Sequence, residues 1–169
     1  MPIPGTLEVR GWFITDHVVE NFASRYGMGG TKEDIRDHIG SLLNSVSADS
    51  SMIYRFYSPV NKKNMEIFHI DHCGIHSYFL VNPSQRPPAV VTVYSVGQFR
   101  NFWNKLDEKH RFQGPDLYSE EIVDSLEEKE KEIKRLKSQL ESQGKKLLSA
   151  QQIINALSCL ARFFQTENS

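Results

Sequence analysis

Several side chains in this sequence are of the kinds that metal-free cleavage of a phosphodiester requires: His17, Arg25, Arg55, Tyr57, Tyr78 and Tyr94. The reaction needs a group to withdraw the 2′-hydroxyl proton, a cation to hold charge on the phosphorane and an acid to protonate the leaving oxygen. Histidine, arginine and tyrosine can divide those roles. In "ITDHVVENFASRYG", His17, Asn21 and Arg25 recur one helical turn apart, on a stripe beside the apolar Val18, Val19, Phe22, Ala23 and Tyr26. A protonated His17 in the first turn would oppose the helix dipole, which suits it to a base or an acceptor, whereas Arg25 in the last turn has the favourable sign.

Alternation in "MIYRFYS" places Ile53, Arg55 and Tyr57 on one face, and in "IHSYFLV" it places His76, Tyr78 and Leu80 on one face. The two sets together predict a basic, aromatic surface on a sheet, where rings can stack on bases. Each residue also has a plainer reading: strand tyrosines at a core edge, solvated helix ends, and an Arg55 to Glu66 pair across two strands.

The densest group of metal-ligand types is "HIDHCGIH", with His69, Asp71, His72, Cys73 and His76. A site needs several donors meeting at one point. Here His69 and His72 flank an expected turn and His76 opens the next strand, so their directions need not agree, and no recognised zinc spacing is present. Turn residues and a strand histidine are the preferred reading; no metal and no cofactor are expected. Cys73 and Cys159 stand far apart, giving no disulfide framework and fitting a reducing compartment. With no basic-then-apolar leader and no run of about 20 apolar residues, a cytoplasmic protein away from membranes is expected.

Positioning these residues requires a real core, and 39% apolar with 11% aromatic content supports one across 169 residues. "LEVRGWFI" (7–14) resembles a first strand. Thr15 or Asp16 caps the helix that ends at Gly27, and Thr31 with Asp34 caps a second helix carrying Ile35, Ile39, Leu42, Leu43 and Val46. Four β-type runs follow, "MIYRFYS", "NMEIFHI", "IHSYFLV" and "AVVTVYS", separated by turn residues as in an antiparallel meander. Ser95 and Gln98 form a capping box for a third helix, whose Val96, Phe99, Trp103, Leu106 and His110 face the sheet. The fold class is α+β: a small antiparallel sheet packed with helices, then a long C-terminal coiled-coil helix. The expected divisions are a globular domain 1–113, a linker 114–118, a coiled-coil oligomerisation helix 119–165 and a tail 166–169.

In that last helix Leu126, Ile133, Leu140, Leu147, Ile154 and Ala161 recur every seven residues, with Leu136, Ala150, Leu157 and Phe164 in the companion seam and Lys129 and Gln143 interrupting it. A helix polar on most sides finds a second copy or another helix. Gly144 weakens its middle by about 1 kcal/mol. The expected partner is the chain itself, as a homodimer or higher oligomer.

The order of elements, with "DHVVENFASRYG", "TKEDIRDHI" and the strand "AVVTVYS", resembles small bacterial and phage proteins related to the BrnT and RelE toxins over about residues 12–96. The resemblance implies a barnase, EndoU, colicin and RelE-like fold, in which many members are metal-independent ribonucleases. It matches His17 and Arg25 to the opening motif and Thr92 and Tyr94 to the closing strand. This chain departs from that pattern: Asn21 or Phe22 stands where the family helix carries an arginine, and the segment through Arg111 has 12 Lys+Arg against 11 Asp+Glu. With a formal charge of −1, no bulk positive field draws it onto RNA. Two functions are therefore weighed. One is an oligomeric interaction protein of phage or mobile-element type that binds or inhibits a host protein. The alternative is a toxin-type ribonuclease or RNA-binding protein using His17, Arg25, Arg55, Tyr78 and Tyr94. The organisation favours the first.

Overall fold

The computed structural model describes residues 11–47 and 52–167, with side chains described as far as residue 158. Contacts divide the chain into two compact units, Met1–Glu130 and Lys131–Ser169.

In the first unit the local signals act where they stand. Thr15 accepts a hydrogen bond from the Val18 amide at the start of α1 (Asp16–Tyr26), and Gly27, at φ 60°, ends it in the left-handed region that glycine adopts without strain. α2 (Lys32–Ser47) opens on a reciprocal cap: the Asp34 amide donates to the Thr31 hydroxyl, and the Thr31 amide to the Asp34 carboxylate. Strands β2 (Ile53–Ser58), β3 (Lys63–His72), β4 (Ile75–Asn82) and β5 (Ala89–Tyr94) form the antiparallel meander, and the Ser95–Gln98 capping box starts α3 (Val96–Lys105). The α+β class expected from the pattern is the class observed.

Two short strands, β1 (Phe13–Ile14) and β6 (Arg111–Gln113), complete a six-stranded sheet in the order β1-β5-β4-β3-β2-β6. Of the strand expected over 7–14, β1 comprises Phe13–Ile14, while residues 7–10 lie outside the described residues. It runs parallel to β5 instead of antiparallel, since no hairpin ties its direction to its neighbour. β6 (Arg111–Gln113) follows a single 3-10 turn and pairs with β2.

Register decides the two faces. Tyr54 lies opposite Ile67, and Ile67 opposite Leu80. These residues, with Phe56, Met65 and Tyr78, pack under Val96, Phe99, Trp103 and Leu106 of α3. Their strand neighbours lie on the opposite face: Phe79 meets Phe22 of α1, and Phe68 meets Trp12, which donates to Asn44 of α2. The packing continues past Gln113. α4 (Glu120–Glu167) places Val123 in the α3-side cluster, with Leu117, Tyr118 and Leu126 packed against it. Leu117 and Tyr118, in the stretch expected as a linker, and Leu126, expected in the oligomer seam, thus cover this chain's own core; for Leu126 the reason is that a heptad position and a core-facing helix stripe share the same local spacing. Gly114 lies so close to the Tyr54 ring that any Cβ there would overlap it.

Candidate functional site

The phosphodiester-cleaving set does not assemble. Arg55 and Tyr78 were expected on a shared basic and aromatic surface, but strand parity puts them on opposite faces of the sheet. Arg55 lies opposite Glu66 and bonds it at 3.1 Å, as its plainer reading had it, and also donates to Gln113 at 2.7 Å. Tyr78 is enclosed on the α3 side, stacked between the rings of His69 at 4.4 Å and Phe99 at 4.2 Å. Burial first, then Tyr54 and Tyr118, raises the Tyr78 pKa well above a phenol's ordinary range, so this hydroxyl holds its proton. Tyr94 is half-buried, stacked on Phe102 at 5.5 Å, and burial raises its pKa too.

The polar stripe of α1 divides into two parts with separate uses. The Asn21 amide donates to His17 Nε2 at 3.1 Å on the exposed face. Arg25, a turn later, reaches inward. β4 begins three residues before its first residue paired with β5, Tyr78 against Tyr94, and side chains of α1 supply donors to that leading stretch. The Tyr26 hydroxyl donates to the Ile75 carbonyl at 3.0 Å, and Arg25 Nη2 to the His76 carbonyl at 3.1 Å. The same Arg25 nitrogen meets both carboxylate oxygens of Glu130 at 3.1 Å, with each side chain 13% exposed. Arg25 is therefore a clamp between α1, β4 and the start of α4.

The histidines pair in a way the spacing alone did not show. β3 reaches His72, so His69 and His72 share a strand and do not flank the turn. That turn is Cys73-Gly74, with φ of 55° and 77°, and it fixes the hairpin register. His69 and His76 become diagonal neighbours on the α3 side, with Nε2 and Nδ1 2.9 Å apart. Tyr118 sets its ring edge against both. Burial first, then His76, lowers the His69 pKa to about 4, so the His69 ring is neutral at neutral pH. His72 turns to the other face, where its ring lies 5.1 Å from that of His38. Among the described residues no group of three or more His, Cys, Asp or Glu gathers around one point. This arrangement is suited to rigid packing rather than to proton transfer with a ligand.

The second unit offers a different feature. Beyond Ile133, the seam side chains Leu136, Leu140, Leu147, Ile154 and Leu157 are 51%, 70%, 71%, 55% and 60% exposed. Phe164, the last seam residue expected, lies beyond the described side chains. Large aliphatic side chains repeated at heptad spacing in water form the strongest unpartnered surface among the described residues. No helix among them is long and apolar enough to cross a membrane.

Comparison with protein-family models, with curated proteins and with solved structures finds no match to this chain.

Proposed function

We propose that this protein is an oligomeric interaction protein, held together through the heptad seam of α4 and using its α+β unit to bind another protein. The observation that carries the reading is the exposure of Leu136, Leu140, Leu147, Ile154 and Leu157 on a helix with no core of its own to bury them. Full burial of such a side chain is worth about 1.5–3 kcal/mol, and several in register outweigh the cost of associating. The host-protein target of phage or mobile-element type follows from the BrnT and RelE resemblance alone. A ribonuclease reading would ask His17, Arg25, Arg55, Tyr78 and Tyr94 to surround one phosphate. Arg55 and Tyr78 face opposite sides of the sheet, and Arg25 is engaged by Glu130.

Light scattering of the intact chain tests the proposal. The expected mass is a multiple of 19.4 kDa, returning to the single-chain value when Leu140→Lys and Leu147→Lys are combined. A single-chain mass for the unaltered protein at tens of micromolar would sink it.

A further inference from the structure

The charge and polarity along α4 say more than that it associates. We infer that the seam pairs with a second copy of the same chain, parallel and in register, so that Gln143 of one chain lies against Gln143 of the other; this rests on the self-association proposed above.

In the heptad frame of the second unit, Ile133, Leu140, Leu147 and Ile154 are a residues, and Leu136, Gln143, Ala150 and Leu157 are d residues; Lys129, the d position before them, belongs to the first unit. Parallel strands in register pair each layer with itself, whereas antiparallel strands set a against d. Every a residue from Leu126 to Ala161 is Leu, Ile or Ala. Any antiparallel register therefore buries the Gln143 amide against an aliphatic side chain and leaves its hydrogen bonds unmade. The in-register parallel pair is the arrangement that gives each Gln143 amide another amide. A single polar layer of this kind fixes alignment at some cost in stability.

Charge agrees with that choice. Glu132, which bonds Arg135 within its own helix, and Lys137 occupy g and e positions, which lie across from each other in a parallel pair. Of the remaining cations nearby, Lys131, Lys134, Arg135 and Lys145 fall at b, c and f, away from the seam, and Lys146 falls at g, where a parallel pair sets it across from the neutral Gln151. One staggered antiparallel alternative would set the acidic run 120–130 against the basic run 131–146. It would require Val123 and Leu126, which already pack in this chain's own core, and would leave Leu147, Ile154 and Leu157 in water.

The test is disulfide trapping in the full-length chain, with Cys73→Ser and Cys159→Ser removing the native thiols. Gln143→Cys, oxidised gently, should convert most of the protein into a covalent pair of chains, because in-register seam positions approach within disulfide reach. Ser142→Cys, one position away on the outer face, should remain uncrosslinked. Light scattering on the same samples separates the two ideas. An oligomer in which Gln143→Cys fails to crosslink, or crosslinks no better than Ser142→Cys, overturns the parallel register alone; a protein of single-chain mass overturns the self-association beneath it.

Discussion

The His69 imidazole is held near pKa 4 by burial and by the neighbouring His76 ring, against an ordinary value of 6.5. The unfolded chain takes up this proton as pH falls through about 6.5, whereas the folded chain resists until about 4. Stability is therefore fully present above the upper value and declines between the two, by up to about 3 kcal/mol for a shift of that size. His38, lowered by burial and then by His72, acts in the same direction. Urea midpoints should be lower near pH 5 than near pH 7. His69→Phe keeps a ring against Tyr78 and should flatten that dependence; an unchanged slope would show that this histidine does not set it. Arg25 makes a different kind of demand. Arg25→Met leaves the Glu130 carboxylate and the His76 carbonyl without a shared donor in a half-buried place, at an expected cost of about 1–3 kcal/mol. His17→Ala, on the exposed face of the same helix, should stay within about 0.5 kcal/mol. Equal losses in chemical denaturation would contradict the clamp.

At the level of elements, two glycines show how tightly the segment after β6 is laid down. A Cβ at Gly114 would overlap ring carbons of the buried Tyr54, while a Cβ at Gly97 in α3 would meet the flexible end of Glu127. Gly114→Ala should therefore cost about 1–3 kcal/mol through overpacking. Gly97→Ala should be neutral or slightly stabilising, since Glu127 can swing aside and helix propensity improves. Thermal unfolding of the two variants would distinguish these outcomes. The same elements show where sequence reading succeeds. Helices α1, α2 and α3 were legible because their caps, Thr15, Thr31 with Asp34, and Ser95 with Gln98, act within three residues of themselves. The meander was legible from alternation and turn residues. β1 and β6, of two and three residues, are too short to show a period, and only their partners make them strands. The His69–His76 pair was hidden for another reason. It depends on a two-residue turn that puts Cys73 at positive φ, a conformation cysteine seldom signals. The shared surface drawn through Arg55 and Tyr78 failed because alternation groups residues within one strand, but the pairing register decides which groups share a face.

Where the first unit ends is a question for the whole molecule, and two shortened chains answer it. Ending the chain after Gln113, at the expected domain limit, removes Leu117, Tyr118, Val123 and Leu126 from the cluster around Val96, Phe99, Trp103 and Leu106. It also removes Glu130 from Arg25. Loss of a buried aliphatic side chain alone costs about 2–5 kcal/mol, comparable with the whole stability of a small domain. That chain should be largely unfolded or aggregated, with lost near-ultraviolet circular dichroism. Ending after Glu130 keeps the cluster and the ion pair and removes the seam from Ile133 onward. It should unfold cooperatively at a temperature independent of protein concentration, whereas the midpoint of the intact chain should rise with concentration as mass action favours the associated form. Equal stability for chains ended at 113 and 130 would mean that the start of α4 adds nothing to the core it covers. A concentration-dependent midpoint in the chain ended at 130 would place the association in the α+β unit instead of in the heptad seam.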